Sequence, residues 1–158
     1  MTQKFPKLLL ARLGALLVFL LLNFLLSDLA LDDIQVGNTY DDTVVGYAPM
    51  INTSFFFLSL PSSATLSIQW FFLAFCFLLA FFVFRKRGFS DALLTESWLA
   101  IGVILVSMIF NFWQRLSFGG VIDYLKIGPT TFNLADFGII GGAAVLLARV
   151  YFFRRSEA

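Results

Sequence analysis

Four long apolar stretches alternate with polar ones along the chain, and their lengths decide how the chain is read. The first, at about residues 8–27, is almost all Leu, Val, Ala and Phe, with the snorkelling stem of Arg12 near its start. Roughly twenty such residues suffice for a spanning helix. Further spans are expected at about 66–84, 98–113 and 134–153. Between the first two, residues 28–65 bring in Asp28, Asp32, Asp33, Asp41 and Asp42 with Gly37 and Gly46, so the chain is expected to leave the membrane there. Within that segment, Thr43 to Leu60 is rich in β-branched and aromatic residues and is punctuated by Pro49 and Pro61. It predicts short strands or an interfacial segment, with Phe55, Phe56 and Phe57 dipping into the acyl boundary. Ser90 or Thr95 is the expected N-cap of the third helix.

Composition strengthens this picture. Of 158 residues, 59% are hydrophobic and 13% charged, against about a quarter charged in a soluble domain. The fold class is therefore an all-α membrane protein: one integral membrane domain over 1–158, with four transmembrane helices. A small extracytoplasmic β or interfacial segment is expected between helices 1 and 2. Ser27-Asp28-Leu29-Ala30 is a poor small-x-small cleavage site, so the first span reads as retained rather than as a signal peptide. Orientation follows from the eleven Lys and Arg residues. Lys4, Lys7 and Arg12, then Arg85, Lys86 and Arg87, then Arg149, Arg154 and Arg155 fall on one side, and only Arg115 and Lys126 on the other. The positive-inside rule places both termini in the cytoplasm. A net charge of +1 with no basic stripe gives no reason to expect nucleic acid. Histidine is absent and Cys76 is the single cysteine, which removes the usual general base and any Cys-based metal cluster. No metal or cofactor is expected. Cys76 itself, in a Phe-rich run, reads as apolar filler.

The candidate chemistry lies between the last two spans. From Asn111 to Asp136 the chain gathers Asp123 and Asp136, the amides Asn111 and Asn133, the guanidinium of Arg115, and the Gly119-Gly120 pair. Ionisable groups at such a place are a functional-site hypothesis. Both carboxylates are expected near the outer membrane face at similar depth, joined by a loop short enough to fold one toward the other. Two carboxylates at one partly dry site share a proton near neutral pH. The ionised one can take a proton from water while the other donates to a carbonyl oxygen, which is an apparatus for amide hydrolysis. A plainer reading stands beside it. Asn133 and Asp136 could form a capping box at the start of the fourth span, with Asp123 a solvated loop carboxylate paired with Lys126 or Arg115. Likewise Asn23 and Ser27 read as interhelical hydrogen-bond formers, Asn52 as a turn residue, and Asn111 with Arg115 as a polar helix end.

These residues resemble the lipoprotein signal peptidase (signal peptidase II) family. In that family an Asn-x-x-Asp-Arg pattern ends the third span, a Gly and a Val-Val-Asp-Phe-like motif follow, and Phe-Asn-x-Ala-Asp opens the fourth. This chain has Asn111-Phe112-Trp113-Gln114-Arg115, Gly120-Val121-Ile122-Asp123-Tyr124 and Phe132-Asn133-Leu134-Ala135-Asp136. Asn52-Thr53-Ser54-Phe55-Phe56-Phe57 is similar to the family's Asn-Thr-Gly-Ala-Ala-Phe segment. The resemblance implies an aspartic endopeptidase of the bacterial inner membrane, with its site at the extracytoplasmic face. Such an enzyme removes the signal peptide from a diacylglyceryl-modified prolipoprotein. It implies Asp123 and Asp136 as the catalytic pair, Asn52, Asn111, Arg115 and Asn133 as groups orienting substrate and dyad, membrane lipid as a partner, and a monomer. The chain also departs from the family. Gln114 stands where the pattern has Asp, Ser54 replaces a Gly, and the first span offers Asn23 and Ser27 in place of Asp-Gln-x-x-Lys. These changes alter the supports of the pair and leave the pair in place. The alternative they favour is a non-catalytic membrane scaffold, or an inactive paralogue that binds lipid or peptide.

Overall fold

A computed structural model of the chain describes residues 4–36, 44–54, 62–85 and 91–156. In order these form α1 (Lys4–Val36), β1 (Val45–Asn52), α2 (Ser62–Arg85), α3 (Asp91–Phe118), β2 (Val121–Ile127), β3 (Thr130–Phe132) and α4 (Leu134–Ser156). The Phe55–Leu60 segment, Ser90 and the side chain of Cys76 lie outside the described residues. Among those described, Leu9–Val36 and Ser97–Phe118 are long and apolar enough to cross a membrane.

Three features differ from the sequence reading. The helix of the first apolar run continues past residue 27 to Val36. Leaving the apolar stretch does not end a helix, and no Gly or Pro interrupts the chain between that point and Gly37. Leu26, Ala30 and Ile34, spaced one turn apart, keep an apolar stripe that packs on Ile122 and Tyr124 of β2. At the other side of this extension, Tyr47 Oη donates to Asp33 Oδ2 at 2.8 Å and ties β1 to α1. The third helix begins at Asp91, so Thr95 lies inside it and does not cap it.

The third difference is the sheet. Among the described residues, β1 alone comes from the segment between the first two helices, and β2 and β3 come from the stretch between α3 and α4. All pairing is antiparallel in the order β1-β2-β3. Val45 pairs with Ile127 at one end and Asn52 with Val121 at the other, with a register shift between Tyr47 and Met50. Pro49 falls inside that shift and can donate nothing to a ladder, which suits it to a bulge. Gly128 and Pro129 make the hairpin turn into β3, where Leu125 faces Phe132.

Two close approaches set the site. A Cβ on Gly138 would strike Ser107 Oγ and come within 2.6 Å of Phe19 Cζ, so only glycine lets the first turns of α4 lie against α3. A Cβ on Gly120 would sit 2.8 Å from the Asn52 carbonyl oxygen, so the start of β2 can lie directly against the end of β1. Together they bring the ends of α3, β1, β2 and α4 to one place.

Candidate active site

Asp123 lies in the centre strand and is 2% exposed. Its Oδ2 accepts from Asn52 Nδ2 at 2.8 Å and from Thr131 Oγ1 at 3.3 Å, and its Oδ1 accepts from Asn133 Nδ2 at 3.3 Å. The solvated loop carboxylate of the plainer reading is therefore overturned, because pairing on both edges of β2 draws this residue under cover. Asp136 sits in the first turn of α4. Its Oδ1 accepts from Asn111 Nδ2 at 3.0 Å. Its Oδ2 accepts from the backbone N–H of Asn133 at 3.2 Å, while its own N–H donates to Asn133 Oδ1 at 2.9 Å. That reciprocal pair is a capping box in form, and it coexists with the bond to α3.

Asn133 joins the two acids. Fully buried, it donates from one amide nitrogen to Asp123 Oδ1 and to Asn111 Oδ1, the latter at 3.0 Å, while its backbone and carbonyl oxygen hold Asp136. Rotating Asn133 would disturb both carboxylates at once. Asn52 has two duties as well: its Nδ2 holds Asp123 and its Oδ1 accepts from Ser54 N at 2.9 Å, the turn-forming role the sequence suggested. Arg115, one turn beyond Asn111, donates to the carbonyl oxygens of Asn52, Thr53 and Ser54 at 3.5, 3.4 and 2.7 Å. The guanidinium thus ties the end of β1 to α3 and steadies the residue that holds Asp123.

Three further residues support the site. Gln114 Oε1 accepts from the backbone N–H of Ile122 at 3.1 Å, immediately before Asp123. Tyr124, 3% exposed, accepts from Leu134 N at 2.9 Å and so fixes the first turn of α4 to the strand of Asp123. Thr131 reaches Asp123 from β3. Thr131 escapes sequence reasoning because only the sheet register makes it a neighbour of Asp123, and the role of Tyr124, next to that acid in the chain, depends on its distant bond to Leu134 N. Asn23 and Ser27 depart from expectation in another way. Asn23 Nδ2 donates to Phe19 O of its own helix, and Asn23 Oδ1 and Ser27 Oγ have no partner among the described residues, so neither bridges helices.

Electrostatics follow burial. Burial pushes the Asp123 carboxyl from its usual 3.8 up to about 7, with the Asn52 hydrogen bond opposing and the charge of Asp136 adding to the rise. Burial likewise pushes the Tyr124 phenol up to about 12, so its oxygen stays a hydroxyl at physiological pH. Among the described residues, no group of three or more His, Cys, Asp or Glu side chains gathers that could hold a metal ion.

Fold and site together define a mostly helical bundle that carries a small antiparallel sheet and two amide-linked carboxylates, Asp123 buried in the sheet and Asp136 half-buried at the start of α4. A family profile described as signal peptidase (SPase) II matches residues 15–152, most of the chain. The chain belongs to the signal peptidase II family. Lipoprotein signal peptidases from two strains of Dehalococcoides mccartyi are each 37% identical to it over 67 residues, a stretch that covers 39% of this chain and 41% of theirs. The match thus spans about two fifths of those curated relatives. Two solved structures share the fold. A bacterial membrane enzyme determined by the in meso method at 2.3 Å resolution superposes with a TM-score of 0.63 at 14% identity, covering 91% of both chains. A second, at 1.9 Å resolution, gives 0.57 at 13% identity, covering 87% of this chain and 92% of that one.

Proposed function

We propose that this protein is an intramembrane aspartic endopeptidase that removes the signal peptide from diacylglyceryl-modified prolipoproteins. The observation that carries the reading is Asn133, a single buried amide that holds both carboxylates and leaves them within one hydrogen-bonded network. In this reading the Asp123–Asp136 pair keeps one proton between its members and titrates as a unit. The ionised member takes a proton from water, and the water oxygen attacks the scissile carbonyl carbon. The protonated member donates to the carbonyl oxygen as it gains charge, and the departing amine takes a proton as the tetrahedral intermediate collapses. Asn52, Asn111, Arg115 and Asn133 orient the pair and the substrate backbone.

The four long helices are read as four spans with both termini in the cytoplasm of a bacterial inner membrane. The sheet and the acids then lie at the extracytoplasmic face, where a lipid-modified substrate can present its peptide while its acyl chains stay in the bilayer. The working unit is a monomer. The profile match over residues 15–152 supports this reading, as does the joining of buried Asp123 and half-buried Asp136 through one amide.

Asp123→Asn and Asp136→Asn are each expected to abolish processing of a diacylglyceryl-modified prolipoprotein in vitro, with insertion and folding retained. Wild-type rates from both variants would leave Asp136 with only its structural bonds, the capping box and the tie to Asn111, and make the protein a non-catalytic scaffold.

A further inference from the structure

A cleft of about 400 Å³ lies between α1, the end of α3 and the start of β2. Phe24, Leu25 and Trp113 line it, with Ser27 and Gln114 between them and Asp28 beside Ser27. Ile122 lines it too, and neighbouring residues of a strand face opposite ways, so Asp123 is turned to the other side of β2. The cleft is separate from the carboxylate pair. Two of its polar side chains are almost wholly buried, Ser27 at 4% exposed and Gln114 at 0%. Gln114 uses its oxygen on Ile122 N, whereas Gln114 Nε2 and Ser27 Oγ have no hydrogen-bond partner among the described residues.

A buried amide N–H with no acceptor is unfavourable, so a donor held in this position points to a ligand that brings one. The residue type matters: a carboxylate at position 114 would offer only acceptors, whereas glutamine offers an N–H. Along α1 the cleft changes character in order, from the Phe24 ring, which packs 5.1 Å from Trp113, to the Ser27 hydroxyl and then the exposed Asp28 carboxylate. A hydrocarbon chain suits the rings, a carbonyl oxygen suits Gln114 and Ser27, and a cation suits Asp28. A glycerophospholipid with an ammonium headgroup carries these three groups in this sequence.

We propose that the cleft binds one phosphatidylethanolamine-type lipid, its ester carbonyl accepting from Gln114 Nε2 and its ammonium beside Asp28. A peptide substrate at Asp123 lies across β2 from this cleft, so the occupant is a bilayer lipid and not the substrate's own diacylglyceryl group. Because Gln114 also holds the N–H preceding Asp123, a bound lipid steadies the strand that carries this acid.

The test is native mass spectrometry of the full chain in mild detergent, without substrate. The protein is titrated separately with palmitoyl-oleoyl phosphatidylethanolamine and with the matching phosphatidylglycerol. Wild type is expected to take up one phosphatidylethanolamine several-fold more tightly than phosphatidylglycerol. Gln114→Leu is expected to weaken that binding about fivefold, the loss of one hydrogen bond. Asp28→Asn, an exposed change that leaves the fold alone, is expected to erase the preference between headgroups. Equal binding of the two lipids by wild type, or an unchanged preference in Asp28→Asn, overturns the proposal, as does undiminished binding by folded Gln114→Leu. No arm requires cleavage, so the result is independent of the peptidase reading.

Discussion

Replacing Asp123 by asparagine should stabilise the protein at high pH while removing its activity. In the folded state this carboxyl is pushed up to about 7, against 3.8 for an ordinary aspartate. Between those two values the folded protein holds a proton that the unfolded chain has released, so wild-type stability falls as pH rises through that window. The difference of about 3 units amounts to roughly 4 kcal/mol lost by the time pH exceeds 8. The substituted amide would carry no charge and escape that loss. One of its two terminal atoms would become a donor, however, facing either Asn52 Nδ2 or Asn133 Nδ2. That mismatch costs about 1–3 kcal/mol. The net gain at pH 8.5 is therefore about 1–3 kcal/mol, or about 2–12 °C in Tm for a chain of this size. At pH 5 wild type has lost only about 2 kcal/mol in this way, which the mismatch offsets, so variant and wild type should differ little in stability there. Thermal unfolding of detergent-solubilised protein followed at both pH values measures this directly. A gap between variant and wild type that does not grow with pH refutes the idea that burial holds a proton on Asp123.

Other consequences follow from the same geometry. Cleavage should decline about tenfold per pH unit above about 7, as the pair loses its shared proton, and a pH profile of kcat/KM on a lipid-modified prolipoprotein reads this out. Tyr124→Phe removes the acceptor of Leu134 N, which should lower stability by about 1–3 kcal/mol. Because the first turn of α4 then loosens against β2, kcat should fall with KM little changed, a split that steady-state kinetics resolves. Gly138→Ala forces a methyl group against Ser107 Oγ and Phe19, at a cost of about 1–3 kcal/mol. Adding Ser107→Gly should recover part of the loss in Tm and in cleavage, since it removes one of the two clashing neighbours.

How far the sequence shows this molecule depends on the range of the interactions involved. Long apolar runs are local, and they announce the helices well. So does Phe132-Asn133-Leu134-Ala135-Asp136, where the cap and its partner lie three residues apart. The end of α1 is obscured by chemistry: Asp28, Asp32 and Asp33 mark a change of solvent, but the helix persists because its apolar stripe finds β2. The β2–β3 hairpin does have a local signal, Gly128-Pro129 followed by Thr130 and Thr131, yet β2 begins with four buried residues in a row. With helix on one side and the acids on the other, it lacks the alternation that identifies a half-exposed strand. Thr131 and the 71-residue reach from Asn52 to Asp123 depend on strand register, which no short window of sequence contains.

Position 114 shows why the departures from the family pattern are consistent with one another. The side chain there is fully buried between α1 and β2, and an aspartate would have to keep its charge in that setting. An unpaired buried charge costs several kcal/mol, so an acid at this site requires a cation nearby. On the facing helix, the positions where the family pattern has Asp and Lys hold Asn23 and Ser27, and neither can supply a charge. Glutamine resolves the conflict: it removes the charge and still accepts from the Ile122 N–H with its oxygen. The strand before Asp123 is therefore held by a neutral contact in place of an ionic one. Arg115, its chain neighbour, directs donors to the three carbonyls at the end of β1. Position 114 thus keeps a neutral support for the strand of Asp123, and Asn23 and Ser27 bring no charge against it.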